Sequence, residues 1–220
     1  MQPVRELLLL LGVLFAGQTY SQTTENESQA IENDFQTRAE VKLSFSPIKK
    51  FKITFIPELR MDESFDIDKY LLETELSYKP IKDLSLSGSY RFVSNPRDTK
   101  ATEYLHRFAL TAEYSKSIKR WEPSFRIKYT NYTEDAFDGE FLRYRAKLEY
   151  DIKNFKLTPY IRAEGFHDLS QDELYKMRYA LGGKYKLNKK NSVRIGYMLD
   201  YYLQDYRNKH ILTIGYNFKF

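Results

Sequence analysis

From Phe35 to the final residue, Phe220, the side chains alternate between apolar and polar with few interruptions. The closing stretch shows the pattern most simply. His210, Leu212, Ile214, Tyr216, Phe218 and Phe220 share one parity, while Ile211, Thr213, Gly215, Asn217 and Lys219 share the other. Successive side chains fall on opposite faces only in an extended strand, so a period of two selects β-structure with one apolar face. The layout recurs near 35–45, 51–60, 69–78, 84–92, 103–114, 121–132, 141–150, 155–166, 175–185 and 192–202, which with 209–220 makes about eleven strands. The pattern runs through the terminal phenylalanine. A soluble domain tends to end in a frayed polar tail. A sheet closed in lipid must instead pair its last strand to remove the edge.

The apolar parity carries no Lys, Arg, Asp or Glu in any of these segments. One Arg or Lys near the bilayer midplane costs about 2–4 kcal/mol, so this absence fits contact with lipid. Tyr78, Tyr90, Tyr104, Tyr114, Trp121, Tyr132, Tyr150 and Tyr185 stand near strand ends, where aromatic girdles belong. The competing arrangement is a soluble barrel or sandwich with the apolar face inside, such as a periplasmic lipid-binding barrel. A small barrel interior takes about a dozen side chains in three layers, far fewer than this face offers. The expected fold is all-β: an antiparallel up-and-down transmembrane β-barrel of about 10–12 strands.

Two features strain that expectation. Eleven is odd, whereas single-chain bacterial barrels have even strand numbers. Residues 23–34 would then hide a further strand or thread the lumen, or the first strand would lie outside the barrel. Pro57, Pro123 and Pro159 also fall inside strands, where each removes a ladder hydrogen bond.

The connections read as two classes. Those near 47–50, 79–83, 115–120, 151–154 and 186–191 are short and rich in Lys, Asn and Pro; those near 61–68, 93–102, 133–140, 167–174 and 203–208 are mostly longer and more acidic. Outer-membrane barrels have this asymmetry of periplasmic turns and extracellular loops. Ahead of the strands, Arg5, the apolar run Leu7–Phe15 and Thr19-Tyr20-Ser21 read as a cleaved secretory signal. The expected organisation is a signal peptide over 1–21, a flexible polar lead-in over 22–34 and a barrel over 35–220. The expected location is the outer membrane of a Gram-negative cell. Without cysteine there is no disulfide framework and no lipoprotein anchor. The net charge of +5 comes from interleaved acids and bases, not from a patch suited to nucleic acid.

The polar parity would line the lumen. Its expected charges include Arg126, Lys128, Arg143, Arg145, Lys147, Glu149, Arg162, Glu164 and Arg178. Opposite charges on neighbouring strands can form ladders that fill a narrow barrel. The reading that follows is a structural or binding barrel with a largely closed lumen; a narrow channel for ions or small solutes is the alternative. An outer-membrane enzyme of lipase or acyltransferase type would need a nucleophile, a base and an orienting group together. His106 and His210 instead face outward near the rim, His167 begins a loop, and Ser94 lies in no GxSxG motif. No catalytic, cofactor or metal residues are assigned. The acidic loops Thr133-Glu134-Asp135 and Gln171-Asp172-Glu173 are a possible contact surface for cations bridging lipopolysaccharide. The expected partners are outer-membrane lipid, lipopolysaccharide and, during biogenesis, the barrel-assembly machinery, for which Tyr216, Phe218 and Phe220 form the closing-strand signal.

Several short segments carry a resemblance. They are Pro57-Glu58-Leu59-Arg60 with Asp62, Leu76-Ser77-Tyr78-Lys79, Tyr90-Arg91-Phe92, His106-Arg107-Phe108, Leu157-Thr158-Pro159-Tyr160, Tyr185-Lys186-Leu187-Asn188-Lys189 and Tyr216 to Phe220. Together they resemble the bacterial family called domain of unknown function 2490 over nearly the whole mature chain. The resemblance implies an outer-membrane barrel and brings no assigned activity or catalytic residues.

Overall fold

The computed structural model describes residues 31–96, 101–132, 138–203 and 207–220. They form β1 (Glu32–Phe45), β2 (Phe51–Met61), β3 (Ile67–Ile81), β4 (Leu84–Asn95), β5 (Glu103–Ser115), β6 (Trp121–Tyr132), β7 (Asp138–Tyr150), β8 (Leu157–Asp168), β9 (Glu173–Lys186), β10 (Asn191–Tyr202) and β11 (Arg207–Lys219). Each strand pairs with its neighbours in sequence, and β1 meets β11, so the sheet closes into a barrel. The period-two pattern therefore yields the expected all-β barrel. The expected signal peptide and residues 22–30 of the lead-in lie outside the described residues.

The odd strand number is accommodated at the seam. Ten neighbouring pairs are antiparallel, while β1 and β11 run parallel from Glu32↔Arg207 to Ser44↔Lys219. The first strand lies fully inside the barrel, and the meander is not antiparallel throughout. Residues 32–34, expected in the lead-in, belong to β1. The terminal Phe220 donates its backbone N–H to the Ser44 carbonyl at 3.0 Å, so the seam is paired to its last residue.

The prolines fall where the ladder has no use for their missing N–H. Pro123 and Pro159 sit one residue beyond the last pairs with the preceding strand, Ser115↔Ser124 and Glu149↔Tyr160. Pro57 lies in the gap between Glu40↔Glu58 and Leu43↔Phe55, where the β1–β2 ladder lapses and resumes. All three keep their pairing on the other side, with Leu72, Leu148 and Gly183. A proline is tolerated in a sheet on those terms.

The strands run further than the apolar alternation does, because polar residues near their ends continue the ladders. The connections shrink to 46–50, 82–83, 116–120, 151–156 and 187–190 at one mouth, and 62–66, 96–102, 133–137, 169–172 and 203–206 at the other. The expected difference in length largely disappears; the difference in charge remains. The first set holds ten Lys and Arg against two Asp, the second eight Asp and Glu against two Lys and Arg. We call these the basic and the acidic mouth. β1 starts at the acidic mouth and β11 ends at the basic one.

Large apolar side chains cover the outside: Leu72, Phe125, Ile161 and Ile195 are among those about half exposed or more. Aromatic contacts ring both ends, Phe51–Tyr78 and Trp121–Tyr150 near the basic mouth, Phe92–Tyr104 and Phe35–His210 near the acidic one. Two aromatics depart from the expected outer face. Tyr132 is 2% exposed, with the Arg91 and Arg107 guanidinium groups over its ring, because it shares the parity of Arg126 and Lys128. Tyr175 is skipped where the β8–β9 register shifts at Phe166/His167. That bulge lets its ring pack on the buried Phe141 and Tyr202.

Candidate functional site

The interior has two unlike halves. Toward the acidic mouth it is filled. Asp200, fully buried on β10, accepts from Arg178 Nε and Nη2 at 2.5 and 2.6 Å and from Lys176 Nζ at 3.0 Å. Phe166, also fully buried, lies under the guanidinium groups of Arg143 (4.2 Å) and Arg178 (5.1 Å) and under the Lys176 ammonium. Tyr202 lies beneath Lys176 and Arg207. A cation stripped of water recovers stabilisation from a carboxylate or an aromatic face, and this layer supplies both.

Toward the basic mouth lies a cavity of about 610 Å³. Arg126, Lys128, Arg143, Arg145, Lys147, Glu149, Arg162, Glu164 and Arg178 all line it. So do Lys186, Lys189, Lys190 and Lys219 at the rim. Seventeen Lys and Arg face it against six Glu. No described residue of the acidic-mouth connections lines it; its inner end is the Arg143–Arg178 level, above the aromatic layer.

Many ion pairs here skip a strand. Arg126 on β6 reaches Glu164 on β8 at 2.6 Å, and Arg145 on β7 reaches Glu113 on β5 at 2.8 Å. Lys184 on β9 approaches Glu149 on β7 at 3.6 Å, and Arg194 on β10 pairs with Glu40 on β1. The wall of a small barrel is strongly concave inside, so long side chains converge at their tips over the intervening strand. Sequence reasoning expected ladders between adjacent strands. That holds for Glu73–Arg91 (2.7 Å) and Arg178–Asp200, whose residues stand directly opposite each other. Glu164 serves two cations at once, accepting from Arg126 and, at 3.0 Å, from Arg143.

Tyr160 packs on one wall against paired glycines. Gly182 stands opposite Tyr160 on one side and Gly196 on the other. A Cβ on Gly182 would lie 2.6 Å from the Tyr160 hydroxyl and 2.5 Å from the Ile195 carbonyl. Gly182→Ala should therefore push the ring into the cavity and destabilise the fold by roughly 1–3 kcal/mol. Equilibrium unfolding in detergent checks this, and Tyr160→Ala in the same chain should remove part of the loss.

The residues weighed for catalysis and the closing strand lie elsewhere. His106 Nδ1 meets Tyr90 Oη at 2.6 Å, His210 Nδ1 meets Tyr197 Oη at 2.5 Å, and His167 Nε2 meets Asp172 Oδ1 at 3.0 Å. Ser94 sits opposite Tyr70 and Tyr104. Thr133–Asp135 lie outside the described residues. Of the expected closing-strand signal, Tyr216 Oη donates to Asn191 Oδ1 and Phe218 packs edge-on against Phe220 at 4.7 Å. Asp200 and the lysine rim are not singled out from sequence, although Asp200, Lys186 and Lys219 share the parity of the polar face; Lys189 and Lys190 lie in the turn 187–190.

The model of a family described as protein of unknown function (DUF2490) matches residues 33–210. No curated protein matches the chain.

Proposed function

For a chain that belongs to the DUF2490 family of unknown function, we propose a small outer-membrane barrel that acts in binding or as a scaffold, not as a general diffusion porin. The observation that carries this reading is the inversion of the usual polarity. Large apolar side chains cover the outside while Asp200, Lys176, Arg178 and Glu164 are buried within. A water-soluble barrel would bury the first set and solvate the second; a bilayer solvates the first set and leaves the second to pair internally. Lipid and lipopolysaccharide are then the partners of the outer face, and the assembly machinery is the partner of the strand ending in Phe220. The mature chain should fractionate with the outer membrane and migrate in a heat-modifiable way on gels. Recovery in the periplasm without detergent would end the reading.

Closure of the lumen is assigned to the layer around Phe166, Tyr202 and Asp200, not to Arg126 and Arg145, which face the cavity. In planar bilayers the purified protein should give no stable conductance or only brief small events. Phe166→Ala with Tyr202→Ala should open measurable steps, whereas Arg126→Ala with Arg145→Ala should not. Large, weakly selective conductance from the unmodified protein would identify a porin instead.

A further inference from the structure

We propose that the cavity at the basic mouth is a binding site for a small polyanion bearing phosphate groups. The proposal rests on the reading above, in which the lumen is closed toward the acidic mouth and the cavity is therefore blind.

The first observation is a cluster of like charges that the sheet itself disfavours. Arg126 stands directly opposite Arg145, Lys128 opposite Arg143, and Lys147 opposite Arg162, all facing inward on β6, β7 and β8. Like charges directly across a pair repel, and here three such pairs adjoin. Glu164, Glu113 and Glu149 satisfy only part of the set, and Lys128 and Arg162 have no carboxylate partner among the described residues.

The second observation is independent of charge counting. Lys128 is 7% exposed, lines the cavity and makes no ion pair or hydrogen bond with another described residue. The Nε atoms of Arg126, Arg145 and Arg162 are buried without an acceptor. Arg162 donates to the Met198 thioether at 2.7 Å, a weak acceptor, and to no carboxylate among the described residues. Buried cationic donors without acceptors are unfavourable unless something supplies oxygens. The donors come from three adjacent strands, so their acceptor must present several oxygens in a small volume. Phosphate does so, and guanidinium forks match its geometry.

Size and access agree. The 610 Å³ cavity falls within the range of roughly 300–1,000 Å³ usual for small-molecule sites. The lysine rim at the basic mouth raises the local concentration of anions and points them inward. A phosphorylated soluble metabolite and a bisphosphorylated lipid headgroup share this chemistry.

The test uses full-length folded protein in detergent, with sodium pyrophosphate as the probe and sodium chloride at matched ionic strength as the control. Calorimetric titration should give one site per barrel, and pyrophosphate should raise the unfolding temperature beyond the chloride control. Lys128→Gln should weaken binding at least tenfold while the unliganded barrel unfolds at the same or a higher temperature, because a repulsion has been removed. Lys189→Gln with Lys190→Gln, on the rim turn, should weaken binding without touching the buried network. Lys50→Gln, on an exposed turn outside the cavity, should leave binding unchanged. Bisphosphorylated glycolipid in the micelle should compete with pyrophosphate if the natural source is a headgroup, and should not if it is soluble; either result supports the site. Equal binding by the Lys128, rim and Lys50 variants, or stabilisation reproduced by chloride, would overturn it. Porin-like conductance with intact pyrophosphate binding would refute closure and leave the site standing; silent bilayers with no pyrophosphate binding would do the reverse.

Discussion

Leu72→Arg and Leu148→Arg should each prevent the purified chain from folding into phospholipid vesicles, while Glu75→Gln should fold as the parent does. Leu72 is about half exposed on the outer face of β3, with Pro57 and Phe92 as its cross-strand neighbours. Leu148 on β7 stands between Pro123 and Ile161. A guanidinium at Leu72, at mid-height on that face, would sit in hydrocarbon, with an expected loss of about 2–4 kcal/mol, and the loss should be smaller at Leu148, two residues from the Tyr150 end of β7. Glu75 faces inward, where Ser77 Oγ donates to it at 2.9 Å, and an amide can still accept that bond. Protection from trypsin after mixing with vesicles reads the outcome. Equal tolerance of the leucine and glutamate variants would mean that lipid does not meet the outer face.

Asp200→Ala should be the most damaging interior substitution. It removes the carboxylate shared by Arg178 and Lys176, which are 3% and 0% exposed, so two buried cations lose it together. Deleting one partner of a buried ion pair typically costs about 3–5 kcal/mol, because the remaining charge stays out of water. The midpoint of urea unfolding should fall accordingly. Adding Lys176→Met to Asp200→Ala should return part of the loss, since fewer charges then lie uncompensated. A decrease below about 1 kcal/mol for Asp200→Ala would show that water reaches this layer and that it is not the closure.

The strands were legible in the sequence because period-two alternation is a direct consequence of strand geometry. The same signal gave the outward set, Leu72, Phe125 and Ile127 among them. It failed where alternation stops before pairing does. The β2–β3 connection is only 62–66, although polar residues had suggested a loop to 68. It failed again at Tyr132 and Tyr175, where a parity slip or a single bulge reverses the side a ring occupies. The lumen residues were readable as a set. Their partners were not, because pairs such as Arg126–Glu164 and Arg145–Glu113 depend on the curvature of the closed wall, which no local pattern encodes. The parallel seam was also hidden: pairing between the two ends of a chain leaves no trace in either strand alone.

The seam has one further consequence. In an even barrel the first and last strands run oppositely, so both ends of the chain leave by the same mouth. Here Glu32 and Phe220 leave by opposite mouths, separated by the height of strands about thirteen residues long, or roughly 40 Å along the strand. A circular permutant made with a short linker should therefore fail to close, since the linker would have to cross the whole wall. A peptide tag inserted ahead of Glu32 and another placed after Phe220 would face different compartments of any membrane that the barrel spans.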